Sequence, residues 1–163
     1  MARPGPRAAG AGEIELEVPQ GNDRAIRCYE RAGFRETGRL LGFRGQIEPA
    51  ASEARPADVA ALLARPLRPT CWQRAAASLA RIADLAAVAL PGGAFLLFTR
   101  TDDAVAIRHL AAETPQEIAA LLAATGGRTA TLVNEPAASP VATGLQALGF
   151  ELFVSQHQMQ VAL

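Results

Sequence analysis

The sequence predicts an α/β fold in which helices flank a central mixed sheet. Three observations carry this. Glu13–Val18 (EIELEV) alternates acidic and apolar residues, the period of a half-buried strand. Helix-like stretches that stop at Gly33, Gly126 and Gly149 are each followed by a strand-like run. A plan of strand, loop, helix, Gly-Phe and strand occurs at 13–44 and again from Arg128 onward.

The elements follow in order. Ile14, Leu16 and Val18 share one face of the first strand. Pro19–Asn22 is a loop, and Asn22 and Asp23 are both good N-cap residues. Arg24–Ala32 reads as a short helix with Ala25, Ile26, Tyr29 and Ala32 on its apolar side. Gly33 ends it and Phe34 folds back onto it. Arg35–Arg44 continues as a strand or strand pair. Gln46–Thr70 is rich in Ala, Pro and Arg. Within it Glu48–Arg55 reads as a linker and Ala57–Ala64 as a helix opened by Pro56. Cys71–Asp84 reads as a second helix built of small residues. Leu85–Leu90 and Ala94–Arg100 form a hairpin across Pro91-Gly92-Gly93. Asp102-Asp103 is a turn, and Ala104–Ala111 a third strand. Thr114-Pro115 begins a helix to about Thr125, with Glu117 placed to suit the helix dipole. Arg128–Val133 is a strand, Ser139-Pro140 opens a helix to Leu148, and Phe150–Leu163 is a final strand or hairpin. Crossover helices of this kind require some parallel pairing.

Composition narrows the function classes. Half the residues are hydrophobic, enough for a core, and 16 basic residues balance 16 acidic ones. With no basic excess, a nucleic-acid partner is not expected. Every basic residue is Arg. Cys28 and Cys71 are far apart, which fits a reducing compartment and a cytoplasmic location. Two His and two Cys without zinc-like spacing predict no metal site. No apolar run approaches the roughly 18 residues of a membrane span, so no membrane partner is expected. The opening residues MARPGPRAAGAG have no apolar signal core and read either as a disordered arm or as the tail of a helix.

The stretch Asn22–Phe34 (NDRAIRCYERAGF) carries the pattern N-x-x-A-x-x-x-Y-x-x-x-G-F directly after a strand. In this it resembles the GNAT superfamily of acyl-CoA N-acetyltransferases. The resemblance implies a GNAT-like mixed sheet and acetyl-CoA as co-substrate. It implies that Asn22 and Ala25 help hold the cofactor and that Tyr29, the only Tyr, is the catalytic acid that protonates the departing thiolate. The residues themselves also allow plainer roles: Asn22 as an N-cap, Tyr29 as a core residue, Cys28 as an ordinary small residue.

The chain departs from the family pattern in one respect. The family binds the CoA pyrophosphate with a [Q/R]-x-x-G-x-[G/A] loop at a helix N-terminus. Arg7–Gly12 fits the letters but abuts the strand with no room for the helix between. The expected organisation is therefore 1–45 as the closing part of a first unit, truncated at its start, 46–56 as a linker, and 57–163 as a second unit. That second unit has Ala111–Gln116 where the glycines belong, and Leu145 where the first has Tyr29. Pro115 lacks an N–H, and Glu113 and Glu117 repel phosphate. The chain thus resembles tandem acetyltransferases with one degenerate half. His109 and His157 read as surface or satisfied core residues, and Trp72 as an anchor of a helix to the sheet.

Two functions follow as expectations. One is acetyl transfer to a primary amine of a small molecule or peptide. The other is a non-catalytic scaffold, dimerisation unit or ligand-binding domain. The first strand's free side leaves residues 13–44 to pack on the second unit or to pair with another copy in a homodimer.

Overall fold

The computed structural model describes residues 12–67 and 71–163. The Arg7–Gly12 stretch lies outside the described residues except for Gly12. Eight strands form one mixed sheet in the order β1-β8-β2-β7-β6-β5-β4-β3. The strands are β1 (Glu13–Pro19), β2 (Arg35–Gln46), β3 (Arg55–Pro56), β4 (Ala86–Ala89), β5 (Phe95–Thr101), β6 (Ala104–Ala111), β7 (Thr129–Pro136) and β8 (Glu151–Ala162). The helices are α1 (Asp23–Arg31), α2 (Val59–Leu63), α3 (Ala76–Leu79), α4 (Pro115–Ala123) and α5 (Pro140–Ala147), with a 3-10 turn at Trp72–Arg74. The predicted class, helices around a central mixed sheet, is the observed one. Among the described residues no helix is long and apolar enough to cross a membrane.

The order of the strands has a hidden regularity. Among the described residues only β6 and β7 pair in parallel; the other neighbours are antiparallel. The crossover β1-α1-β2 straddles β8, and the crossover β7-α5-β8 straddles β2. Exchanging these two strand–helix–strand frames leaves the run β1-β8-β2-β7 unchanged when read from the other end. The frames interlock, so neither can leave the sheet without breaking the other's ladder. β2 pairs with β8 from Arg35 to Arg44 and with β7 from Leu40 to Gln46.

Two cores follow from strand alternation. On one face Phe43, Leu96, Ile107 and Leu132 pack with Ile118, Leu121 and Leu122 of α4 and Leu145 of α5. On the other, Phe95 and Leu97 pack with Ala87, Leu62 of α2 and Leu79 of α3. Adjacent residues of β5 thus serve opposite sides of the sheet.

Several sequence expectations need correction. Cys71–Asp84 is not one helix. The chain makes a 3-10 turn at Trp72–Arg74, turns extended at Ala75 (ψ 145°), forms the short α3, and reaches Asp84 at φ 56°. The break is what turns Arg74 inward, where it is 4% exposed. Trp72 lies on the 3-10 turn and is not a buried anchor of a helix: it is 57% exposed. Residues 47–54 have no regular structure, and only at the end of that stretch do Arg55 and Pro56 form β3, pairing with Ala89 and Val88 of β4. β2 and β8 are each a single strand.

Gly45 lies under the ring of Phe150, and an added Cβ would meet three ring atoms at 2.7–3.0 Å. Gly45→Ala is therefore expected to displace Phe150 and to lower unfolding stability by about 1–3 kcal/mol, read as a lower urea midpoint at constant slope.

Candidate functional site

Two regions correspond to each other across the interlocked frames. The first is α1 with its flanks. Asn22 is the N-cap, its Oδ1 accepting from the Ala25 amide at 3.2 Å. Gly33 (φ 90°) ends the helix, and the Phe34 amide donates to the Tyr29 carbonyl at 3.0 Å. Tyr29 is half-buried and meets Phe34 edge-on, with ring centroids 5.6 Å apart. Its hydroxyl has no hydrogen-bond partner among the described residues. The structure thus joins Asn22 to Ala25 through the cap and sets Tyr29 one turn further along.

The second region repeats this backbone. Gly149 has φ 79°, and the Phe150 amide donates to the Leu145 carbonyl at 3.0 Å. Here, however, Leu145 is fully buried. The frame is kept and the O–H donor is replaced by a core side chain.

A cavity of about 630 Å³ lies at the carboxyl ends of β6 and β7, beside the N-termini of α4 and α5. Asn22, Ala25 and Tyr29 are not among its lining residues. This is the crevice where open α/β sheets bind ligands. It exists because β6 and β7 pair only at Ala104–Ile107 with Thr129–Leu132, although both strands run further. Register shifts at Arg108 in β6 and at Val133-Asn134 in β7 mark the divergence, and Asn134 takes φ 59°.

Diverging strands leave carbonyls without ladder partners, and buried ones must be satisfied. Arg74 does this. Its Nε donates to the Arg108 carbonyl and its Nη1 to the Asn134 carbonyl, each at 3.2 Å. Nη1 also forms an ion pair with Glu135, and both side chains are at most 5% exposed. The Asn134 side chain is held in turn: its Nδ2 donates to Gln73 at 2.6 Å, and its Oδ1 accepts from Gln156 Nε2 at 2.5 Å. The gap between the strands is filled by the chain's own guanidinium. None of these six residues was named from sequence. Asn134-Glu135-Pro136, a turn-like triplet at a strand's end, was the available signal; Arg74 had none, since its role depends on residues far away in sequence.

The α4 end of the cavity is likewise occupied from within. Glu117 accepts from the Glu113 amide at 2.8 Å and the Thr114 amide at 3.1 Å, while Thr114 Oγ1 accepts from the Glu117 amide. This is a complete capping box with Pro115 in the first turn. The Glu113 amide first, then Thr114, hold the Glu117 carboxyl below its ordinary range. The N–H groups that would face a phosphate already face a carboxylate, so the residues at α4 do not fit a pyrophosphate.

His109 also lines the cavity. It is 2% exposed, stacks on Phe95 at 5.6 Å, and its Nδ1 has no hydrogen-bond partner. It is therefore neither a surface nor a satisfied histidine. Burial, and then the charge of Arg74, push its pKa down from 6.5 to about 4. Among the described residues no group of three or more His, Cys, Asp or Glu could hold a metal.

As pH falls from 6.5 to about 4 the unfolded His109 binds a proton and the folded one does not, so stability declines across that window. His109→Leu should remove up to about 3 kcal/mol of this decline, measured as the difference between the two proteins' pH–stability curves. Parallel curves would contradict the shift.

No protein-family model matches the sequence, and none of the curated proteins is similar to it. Solved structures are similar. A GCN5-related N-acetyltransferase from Sphaerobacter thermophilus matches with TM-score 0.59 at 13% identity, over 96% of this chain and 63% of that one. One from Kribbella flavida matches at 0.56 and 18%, over 96% and 44%. One from Anabaena variabilis matches at 0.56 and 12%, over 95% and 47%. The chain thus spans about half to two-thirds of the length of these neighbours. At these identities the likeness concerns architecture, and on that ground the protein has the GNAT superfamily fold of the GCN5-related N-acetyltransferases.

Proposed function

We propose that the protein is a GNAT-type N-acetyltransferase module that moves the acetyl group of acetyl-CoA to a primary amine of a small molecule or peptide. Its acid would lie on α1, and its β6–β7 half would be structural. One observation carries this: α1 and α5 share one backbone frame, yet only α1 presents a phenol, where α5 buries Leu145. In the reaction the amine nitrogen attacks the thioester carbon and the C–S bond breaks. Tyr29 gives its proton to the leaving thiolate and regains one from water, which also receives the proton lost by the new amide. Asn22 would orient the loop ahead of α1 while its Oδ1 caps the helix, and the Ala25 amide is the donor in that cap.

A second reading, a non-catalytic acetyltransferase-like scaffold, is favoured by a separate observation. Arg74 and Glu117 occupy from within the two places where the β6–β7 half could meet an acyl-CoA.

Calorimetric titration with acetyl-CoA separates the two. The first reading expects saturable heat; no binding up to about millimolar ligand leaves the scaffold. Given turnover, Tyr29→Phe should lower kcat by about 10²–10⁴ with KM little changed. Loss confined to KM would remove Tyr29 from the acid role.

The structural role of the other half has its own test. Arg74→Ala strands Glu135 as a buried charge and should cost about 3–5 kcal/mol of unfolding free energy. The paired change Arg74→Met with Glu135→Leu should recover the part due to the stranded charge and not the part due to the Arg108 and Asn134 carbonyls, which still lose their donor; a neutral single substitution would show that Arg74 is not a strut.

A further inference from the structure

The two interlocked frames differ in what covers them. α5 buries Val141, Ala142, Gly144 and Leu145, with α4 packed beside it. Aligned on the Gly-Phe pairs, the same positions of α1 are Ala25, Ile26, Cys28 and Tyr29, and α1 buries no residue. The strands differ in the same way. β7 has β6 running parallel along its outer side from Thr129 to Leu132. β1, its counterpart, is the last strand of the sheet. One half therefore carries a strand–helix element, β6-α4, at a place that among the described residues is empty in the other half.

The open edge has a defined chemistry. The Gly12 carbonyl accepts from the Leu163 amide, and the Gln20 amide donates to the Ser155 carbonyl. Even-numbered residues of β1 thus turn their backbone toward β8, and Glu13, Glu15 and Glu17 turn theirs outward. The side chains of those three glutamates stand in one row on one face. Gln160 donates to Glu13. The Glu17 carboxyl is pushed up chiefly by burial, an effect that Trp72 partly offsets. No arginine pairs with any of the three among the described residues. A second copy cannot use this edge well. Antiparallel β1–β1 pairing about a twofold axis would set glutamate opposite glutamate, which repels.

We propose that the outer edge of β1 and the uncovered face of α1 together dock a strand–helix element of a partner polypeptide. Its strand runs parallel to β1 and carries Arg or Lys beside Glu15 and Glu17. This goes beyond the acetyltransferase reading and does not depend on what Tyr29 does. β6-α4 gives the template. Val105 and Ile107 stand beside Ala130 and Leu132 of β7. The same element laid on β1 sets those two beside Ile14 and Leu16 and brings Arg108 alongside Glu17. Apolar side chains meet apolar ones, and the charge finds its opposite.

The probe is a fluorescent peptide with the sequence of residues 104–125, titrated into the full chain at concentrations where the peptide is monomeric. Saturable binding with Kd below about 100 µM is expected. Glu15→Pro removes one outward N–H and leaves the β8 ladder intact, so it should weaken binding at least about tenfold without moving the thermal midpoint. The peptide change Arg108→Glu should do the same, and Glu17→Arg in the chain should restore part of the loss. Absence of binding, or equal binding to a folded Glu15→Pro protein, overturns the proposal. Amide exchange settles the competing occupants. Protection of the Glu15 and Glu17 amides in the isolated monomer assigns the edge to the chain's own residues 1–11 and overturns it. Protection that appears only with a sedimenting dimer assigns it to a second copy and overturns it equally.

Discussion

Where two neighbouring strands part, their backbone groups need another partner, and in this protein Arg74 is that partner. Bulges at Arg108 and at Val133-Asn134 turn β6 and β7 away from each other and leave carbonyls facing a gap. A planar guanidinium with five donors can reach both sides at once, which an ammonium cannot do as well. Glu135 then balances the charge inside the same wedge. Much of the neighbourhood follows from this. Ala75 must be extended so that Arg74 turns inward, and the segment 71–84 therefore cannot be one helix. Asn134 must hold φ 59°, and Gln73 and Gln156 fix it there. His109 is left beside a buried cation, which adds to the burial that keeps it neutral.

The interlocked frames explain why the sheet is one body. β2 is inserted between β7 and β8 and pairs with both over much of its length. Residues from either end of the chain thus share ladders in the middle of the sheet. The arrangement also explains why one backbone frame can carry two kinds of helix. The Gly-Phe ending fixes where the helix stops and how the next strand begins, through hydrogen bonds that ignore the side chain at the Tyr29 or Leu145 position. That position is free to present a phenol in one frame and a core side chain in the other. The fold is shared with the GCN5-related N-acetyltransferases at 18% identity or less.

The sequence by itself determined the elements with local causes. Alternation marked β1, and caps and C-terminal glycines marked α1, α4 and α5 to within a residue or two of their ends. The capping residues Asn22, Thr114 and Ser139 could be read because their partners lie three residues away. The pairing of Tyr29 with Leu145 was also legible, because it rests on a repeated spacing. Tertiary structure alone decided the rest. It set the strand order, the register shifts, the burial of Arg74 against Glu135 sixty-one residues away, and the unpartnered Nδ1 of His109. It also turned Trp72 outward, where the length of a small-residue run had suggested a helix. The division is physical. A cap or a glycine turn is satisfied within one turn of chain, whereas a buried charge or an open carbonyl takes its partner from whatever the folded sheet brings near.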